Sequence, residues 1–350
     1  MFVGHGLLAF AVVGLVARRY RRPREALALA ALAAAFATLP DVDIAYAPVG
    51  VLTALTAEAT RAATPLGLAE SFWATGNEVH RSVTHSVVLA PALALAGAAW
   101  LAGRRVDGAR QGGARSAVAR AAAFCLLCAL TAVATLASGA LGGAVLALCG
   151  LGAIAVAEVT ARRTAVRPPE LFAVALFGLV SHPFGDVFTG DPPALLYPLG
   201  GEVLGARVAL LPDPTLHLLG AFGIELATLW AGLAVLLWLT GRKPTVAPRA
   251  ALALGYAVGV LLIPAPTLDL SYPFVFSVLG VGLVGALPPV RVARRRSPGD
   301  SVGSGRSSGV ARRRSLPVTV SRMDAASSAA TALVAVTLAW LAYGVTYVAL

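Results

Sequence analysis

Charge is scarce in this chain. Only 13% of its 350 residues are Asp, Glu, Lys or Arg, where a soluble domain carries about a quarter. Apolar residues make up 58%, and the mean hydropathy is +0.79. A water-soluble fold of this length has no room to bury so much apolar surface. Soluble classes are excluded, and the chain reads as a membrane protein. Cysteine is also rare. Cys125, Cys128 and Cys149 all lie inside apolar runs, so there is no disulfide framework. The CxxC at 125–128 reads as small apolar side chains on one helix face rather than a redox or metal motif. The N-terminus has no basic stretch ahead of its first apolar run. Arg18, Arg19, Arg21 and Arg22 come after it, and no cleavage site follows, so the first helix is expected to stay attached.

Apolar runs bounded by charge or turn residues fall near 2–17, 25–39, 84–103, 117–137, 139–157, 170–188, 216–239, 249–264, 272–290 and 325–350. Some are short: fifteen helical residues span only about 22 Å of a roughly 30 Å hydrocarbon core. With the N-terminus outside, the inside segments are 18–24, 104–120, 162–167, 242–249 and 291–322. These hold 25 of the 28 Lys and Arg residues; Arg61, Arg81 and Arg207 are the exceptions. Positive charge gathers on the cytoplasmic side of membrane proteins, so the net charge of +11 belongs to loops, and nucleic acid is not expected as a partner. The expected fold is an all-α polytopic transmembrane helical bundle of about ten helices with its N-terminus outside. Residues 1–200 would form a membrane-embedded domain and 201–290 further transmembrane helices. Residues 291–322 read as a disordered Arg/Ser/Gly cytoplasmic linker, and 323–350 as a last transmembrane helix. Within the outer segment 44–83, Val51, Leu52, Leu55, Ala59 and Ala62 are spaced as in an interfacial helix.

Metal- or proton-binding side chains are few, and they gather. His5, His80, His85, His182 and His217 all fall on the predicted outer side. Pro40 ends the second run, and Asp41 and Asp43 follow in LPDVD. His182 and Asp186 are four residues apart, which stacks them on one helical face at a depth where ionisable groups are costly. In HRSVTHS at 80–86, His80 belongs to the loop, Thr84 to the helix start as an N-cap, and His85 to the first turn. His5, Asp41, Asp43, His80, His85, His182 and Asp186 together offer four imidazoles and three carboxylates, enough for two divalent ions. His217 reads as a polar anchor at a helix start, and Glu225 as a group that either pairs within the bundle or lines a cavity.

His5 in an early helix, LPDVD at 39–43, HRSVTHS at 80–86 and GLVSHPFGDVFT at 178–189 resemble, in that order, the YdjM-like family. The resemblance covers roughly the first 200 residues. Its members are regarded as metal-dependent membrane hydrolases and are sometimes described as LexA-binding and inner-membrane associated. It implies a membrane metal site on those seven residues. The expected function is metal-assisted hydrolysis of an ester or phosphoester, in a lipid or lipid-linked molecule, at the outer membrane interface. Arg81 would stabilise developing negative charge and Asp41 would serve as general base. The mixed His/Asp donors suit both Zn²⁺ and Mn²⁺, and Zn²⁺ is the first expectation. Rival readings are a divalent-metal or proton transporter and a non-enzymatic scaffold with a structural metal.

Overall fold

The computed structural model describes residues 2–56, 64–76, 78–79, 81–107, 113–268, 270–287, 290–292, 318–320 and 324–350. Helix α1 (Phe2–Arg18) is apolar apart from His5 up to its last residue and stops where the arginines of 18–22 begin. Pro23, with its φ already helical, opens α2 (Pro23–Thr38), and Glu25 complements the positive end of the helix dipole. At Pro40 the chain tightens into a 3-10 segment, Pro40–Tyr46, then continues as α3 (Pro48–Thr56) and α4 (Pro65–Gly76). Of the proposed interfacial helix, α3 contains Val51, Leu52 and Leu55, while Ala59 and Ala62 lie outside the described residues.

The next helix, α5 (Ala90–Asp107), starts later than expected. Thr84 is not its N-cap. Ser86 instead accepts from the N–H groups of Val88 and Leu89, both at 3.1 Å, so His85 lies in the turn before the helix. Helix α6 (Gly113–Arg163) has 51 residues and would be about 75 Å long if straight. Ser138 and Gly139 break it, Gly139 at φ 71°, which a glycine adopts without a Cβ penalty. Beyond the break Gly143 lies against Thr135, and a Cβ on Gly150 would sit 2.9 Å from Leu127 Cδ2. Residues 127 and 150 meet only if the two arms fold back on each other, so α6 is an antiparallel hairpin.

Helix α7 (Pro168–Gly185) begins with the Arg167 N–H donating to Glu170 Oε2 at 2.8 Å. A 3-10 turn, Asp186–Phe188, follows it. Asp213 caps α8 (Pro214–Thr240) by accepting from the Leu216 N–H at 2.7 Å. The chain forms two compact units, Met1–Arg242 with Ile263–Pro273, and Lys243–Leu262 with Phe274–Leu350. The second holds the 3-10 segment Pro248–Val258, α9 (Gly259–Leu262), most of α10 (Tyr272–Ala286) and α11 (Ala325–Ala349). Its core gathers Ala250, Ala253, Ala335 and Ala339. Two three-residue strands, Val290–Val292 and Val318–Val320, pair antiparallel at the edges of the expected 291–322 linker. Residues 293–317, 321 and 322 of that linker lie outside the described residues.

Apart from that short strand pair, the regular structure of the described residues is helical, and the chain is a membrane protein. Among the described residues, four helices are long and apolar enough to cross a bilayer: α6, α7 with its 3-10 extension, α8 and α11. There are five if α2 and Pro40–Thr56, bent by 44°, form one broken span. The expected count of about ten is not supported among the described residues. The apolar helices Val3–Arg18, Pro248–Leu262 and Tyr272–Ala286 fall short of the about 20 residues a crossing needs.

In the first unit, α2 packs between α1 and α7, and α5 lies against α6 and α7. Phe36, Leu93, Leu101, Leu146 and Leu171 are fully buried there. The α2–α7 approach is close: a Cβ on Gly178 would lie 2.6 Å from the Ala33 carbonyl oxygen and 2.8 Å from the Ala37 nitrogen. No larger residue fits, and this contact places the next turn of α7, with His182, against the end of α2.

Candidate metal centre

Four chain segments end at one place. His5 comes from the start of α1, Asp41 and Asp43 from the 3-10 segment after α2, His85 from the turn before α5, and His182 and Asp186 from the end of α7. His5, Asp43, His85, His182 and Asp186 are all buried. Asp186 lies at the centre: its Oδ1 is 3.2 Å from His5 Nε2 and its Oδ2 is 3.2 Å from His85 Nε2. The His5 ring packs directly on Gly185, where a side chain would displace it. His182 Nε2 lies 3.0 Å from His85 Nε2, 3.5 Å from Asp41 Oδ1 and 3.7 Å from Asp186 Oδ2.

The outer contacts assign the tautomers. His182 Nδ1 is 2.6 Å from the Ala37 carbonyl. A carbonyl only accepts, so Nδ1 carries the proton and Nε2 presents a lone pair. His85 Nδ1 lies 3.4 Å from Asp43 Oδ2 and 3.1 Å from Thr84 Oγ1, and the Thr84 hydroxyl donates to that Asp43 oxygen at 2.9 Å. With its proton directed at Asp43, His85 also turns a lone pair inward. Two imidazole lone pairs and a carboxylate then face one another with no proton between them, a donor set that suits a cation. His5, His182 and Asp186 each bring a donor atom within 4.8 Å of the others, as do Asp41, His85 and His182. Asp41 Oδ2 is buried without a hydrogen-bond partner among the described residues. Asp41 and Asp43 lie against His182 and His85, and Asp186 lies 3.5 Å from the Arg81 guanidinium, so the carboxylates and imidazoles fit a divalent cation in donor type.

Two expected roles change with this geometry. Asp43 does not join the converging donors; it stands behind His85, in the carboxylate–histidine arrangement that orients a ligand. Arg81, expected to stabilise negative charge, is engaged by the chain after α7. At φ 61°, the one left-handed non-glycine among the described residues, it turns its guanidinium onto the chain after α7. Nη1 donates to the carbonyls of Asp186 at 3.3 Å, Asp191 at 2.9 Å and Thr189. Nη2 reaches Thr189 Oγ1 at 3.3 Å and lies 3.5 Å from Asp186 Oδ1. His80 lies outside the described residues. His217 stands apart from the cluster: its Nδ1 accepts from the Leu210 N–H at 3.0 Å and its Nε2 donates to the Phe188 carbonyl at 2.9 Å.

Sequence reasoning missed Thr84 as a partner of Asp43, Thr189 as a partner of Arg81, and the Ala37 carbonyl. Backbone oxygens carry no residue signature, and hydroxyls are common in loops, so only the Thr84–His85 adjacency hinted at any of them.

No curated protein and no solved structure matches the chain. The family model described as YdjM inner membrane protein matches residues 1–265, well past the last of the four motifs at 178–189. The chain is a membrane protein and belongs to the YdjM inner membrane protein family.

Proposed function

We propose that this protein is a membrane-bound metal-dependent hydrolase of an ester or phosphoester, carried by a lipid or lipid-linked molecule. The observation that carries the reading is the inward convergence of the His182 and His85 lone pairs on Asp186, beside an Asp41 oxygen with no hydrogen-bond partner. His5, His85, His182 and Asp186 would hold the cation, Zn²⁺ ahead of Mn²⁺ for so imidazole-rich a set. A divalent cation in such a site supplies Lewis acidity at neutral pH.

The chain's own groups do the rest. Asp41, joined to the cluster only through Oδ1, has Oδ2 available to take a proton from water, the general-base role. Asp43 holds the His85 ring, and the Ala37 carbonyl holds that of His182. Arg81 is a positioning residue that fixes the turn carrying Asp186. The N-terminus and this cluster face the outer side, a reading supported by the arginines at the far end of α1, about 20 Å away at 1.5 Å per helical residue. That depth suits a substrate presented at the headgroups.

Hydrolysis is favoured over ion transport because the bundle interior next to the cluster is Ala9, Phe10, Ala33, Phe36 and Leu93, which, apart from Glu225 beside Gly4, offers no relay among the described residues. The test is metal analysis of the purified protein, then a phosphoester and carboxyl-ester panel with and without chelator. Chelator-sensitive, metal-restored turnover is expected. Metal-loaded protein that cleaves nothing in the panel but carries the ion into vesicles would replace this reading with transport.

A further inference from the structure

The opposite end of the first unit carries a second feature. A cleft of about 500 Å³ lies between the first turns of α2, the end of α6 and the start of α7, a volume within the range of small-ligand sites. Its charged lining is Arg21, Arg24, Arg163 and Arg167 with Glu25 and Glu170, and Ala28 and Leu29 form an apolar wall. Glu170 is already engaged, by Arg21 and by Arg167 at 3.0 Å, and Glu25 lies 4.0 Å from Arg21. Arg24 and Arg163 have no carboxylate partner among the described residues, and both are exposed. The cleft therefore keeps two uncompensated positive charges over an apolar wall.

The aromatic residues of the same end fix its depth. Tyr20 is 79% exposed and Trp238 is 55% exposed, with the Arg18 guanidinium 5.8 Å from the Trp238 ring centroid. Exposed Tyr and Trp beside arginines mark the membrane–water interface, the level of lipid phosphates. Leu15 and Val16, half exposed one turn deeper on α1, continue that surface toward the hydrocarbon.

We propose that this cleft binds the phosphate of an anionic phospholipid head group, with Arg24 and Arg163 as the phosphate ligands, Arg21 and Arg167 as flanking charges, and Ala28 and Leu29 against the glycerol end. Basic pockets between membrane helices take such head groups, and the arginine fork suits a phosphate oxygen pair. The inference is independent of the metal centre, which lies at the other end of α1 and α7.

The test uses the full chain in detergent, with native mass spectrometry of bound phosphatidylglycerol, cardiolipin and phosphatidylcholine. Wild type is expected to retain the anionic lipids and not phosphatidylcholine. The Arg24→Gln/Arg163→Gln double variant is expected to bind them about 30-fold more weakly. Arg242→Gln/Lys243→Gln removes the same charge without touching the cleft and is expected to leave binding near wild type. Equal weakening in both pairs overturns the proposal in favour of diffuse surface attraction. Unchanged binding in the cleft variant also overturns it. Displacement of lipid by millimolar inorganic phosphate would show a site for free phosphate, and overturns the lipid assignment. If the Gln pair is aggregated, Arg24→Lys/Arg163→Lys takes its place, expected to keep part of the binding because the charge remains but the fork is lost.

Discussion

His182 donates through Nδ1 to the Ala37 carbonyl 2.6 Å away, so the end of α2 sets which nitrogen of the α7 histidine faces the cluster. The contact exists because Gly178, one turn earlier, lets α7 touch the α2 backbone. Gly178→Val should therefore part the two helices, with an overpacking cost of about 1–3 kcal/mol, and reduce metal content through His182. Thermal unfolding in detergent and metal analysis check this together. A stable variant with normal metal content would mean that α2 does not orient His182.

Asp186 stands between His5 and His85. Asp186→Asn keeps the size and removes the charge, so metal affinity should fall at least tenfold, since even outer-shell partners are worth about 10–100-fold. Calorimetric titration with Zn²⁺ measures the loss. Wild-type affinity in the variant would remove Asp186 from the ligand set.

Arg81 separates positioning from catalysis. Its guanidinium is committed to the carbonyls of Asp186, Thr189 and Asp191. Arg81→Ala should lower metal content and turnover together, because the turn that carries Asp186 loosens. A variant with full metal content and reduced turnover would return Arg81 to the substrate.

Removing the ion should destabilise the first unit. Binding to the folded state alone contributes about 2.7 kcal/mol at a hundred times the dissociation constant. Treatment with chelator should lower the unfolding temperature, and Zn²⁺ should restore it. In Asp186→Asn the chelator shift should be reduced or lost; an equal shift in variant and wild type would place the stabilising ion elsewhere.

The proposed orientation rests on the arginines. After replacement of the native cysteines, of which Cys125 and Cys128 are exposed and Cys149 is buried, Ser71→Cys should react with an impermeant thiol reagent from outside. Arg19→Cys should react only after permeabilisation. Reaction of both from one side would reverse or break the assigned topology.

Much of this protein was legible in the residues alone. Apolar content decides for the bilayer because no aqueous fold buries it, and the break near Gly139 shows because only glycine takes that φ without strain. His5, Asp41, His85, His182 and Asp186 stand out because ionisable groups are rare in this chain. What residue types could not convey was direction. Asp41 and Asp43 are two residues apart in one short 3-10 segment, yet one faces His182 and the other lies behind His85. Arg81 sits within the HRSVTHS motif, yet its left-handed backbone spends the side chain on the chain after α7. The number of bilayer crossings likewise depended on where each helix stops, which proline, capping and neighbouring contacts set residue by residue. Composition determines which groups must leave water together; only the packing of α2 against α7 decides which atoms of those groups meet.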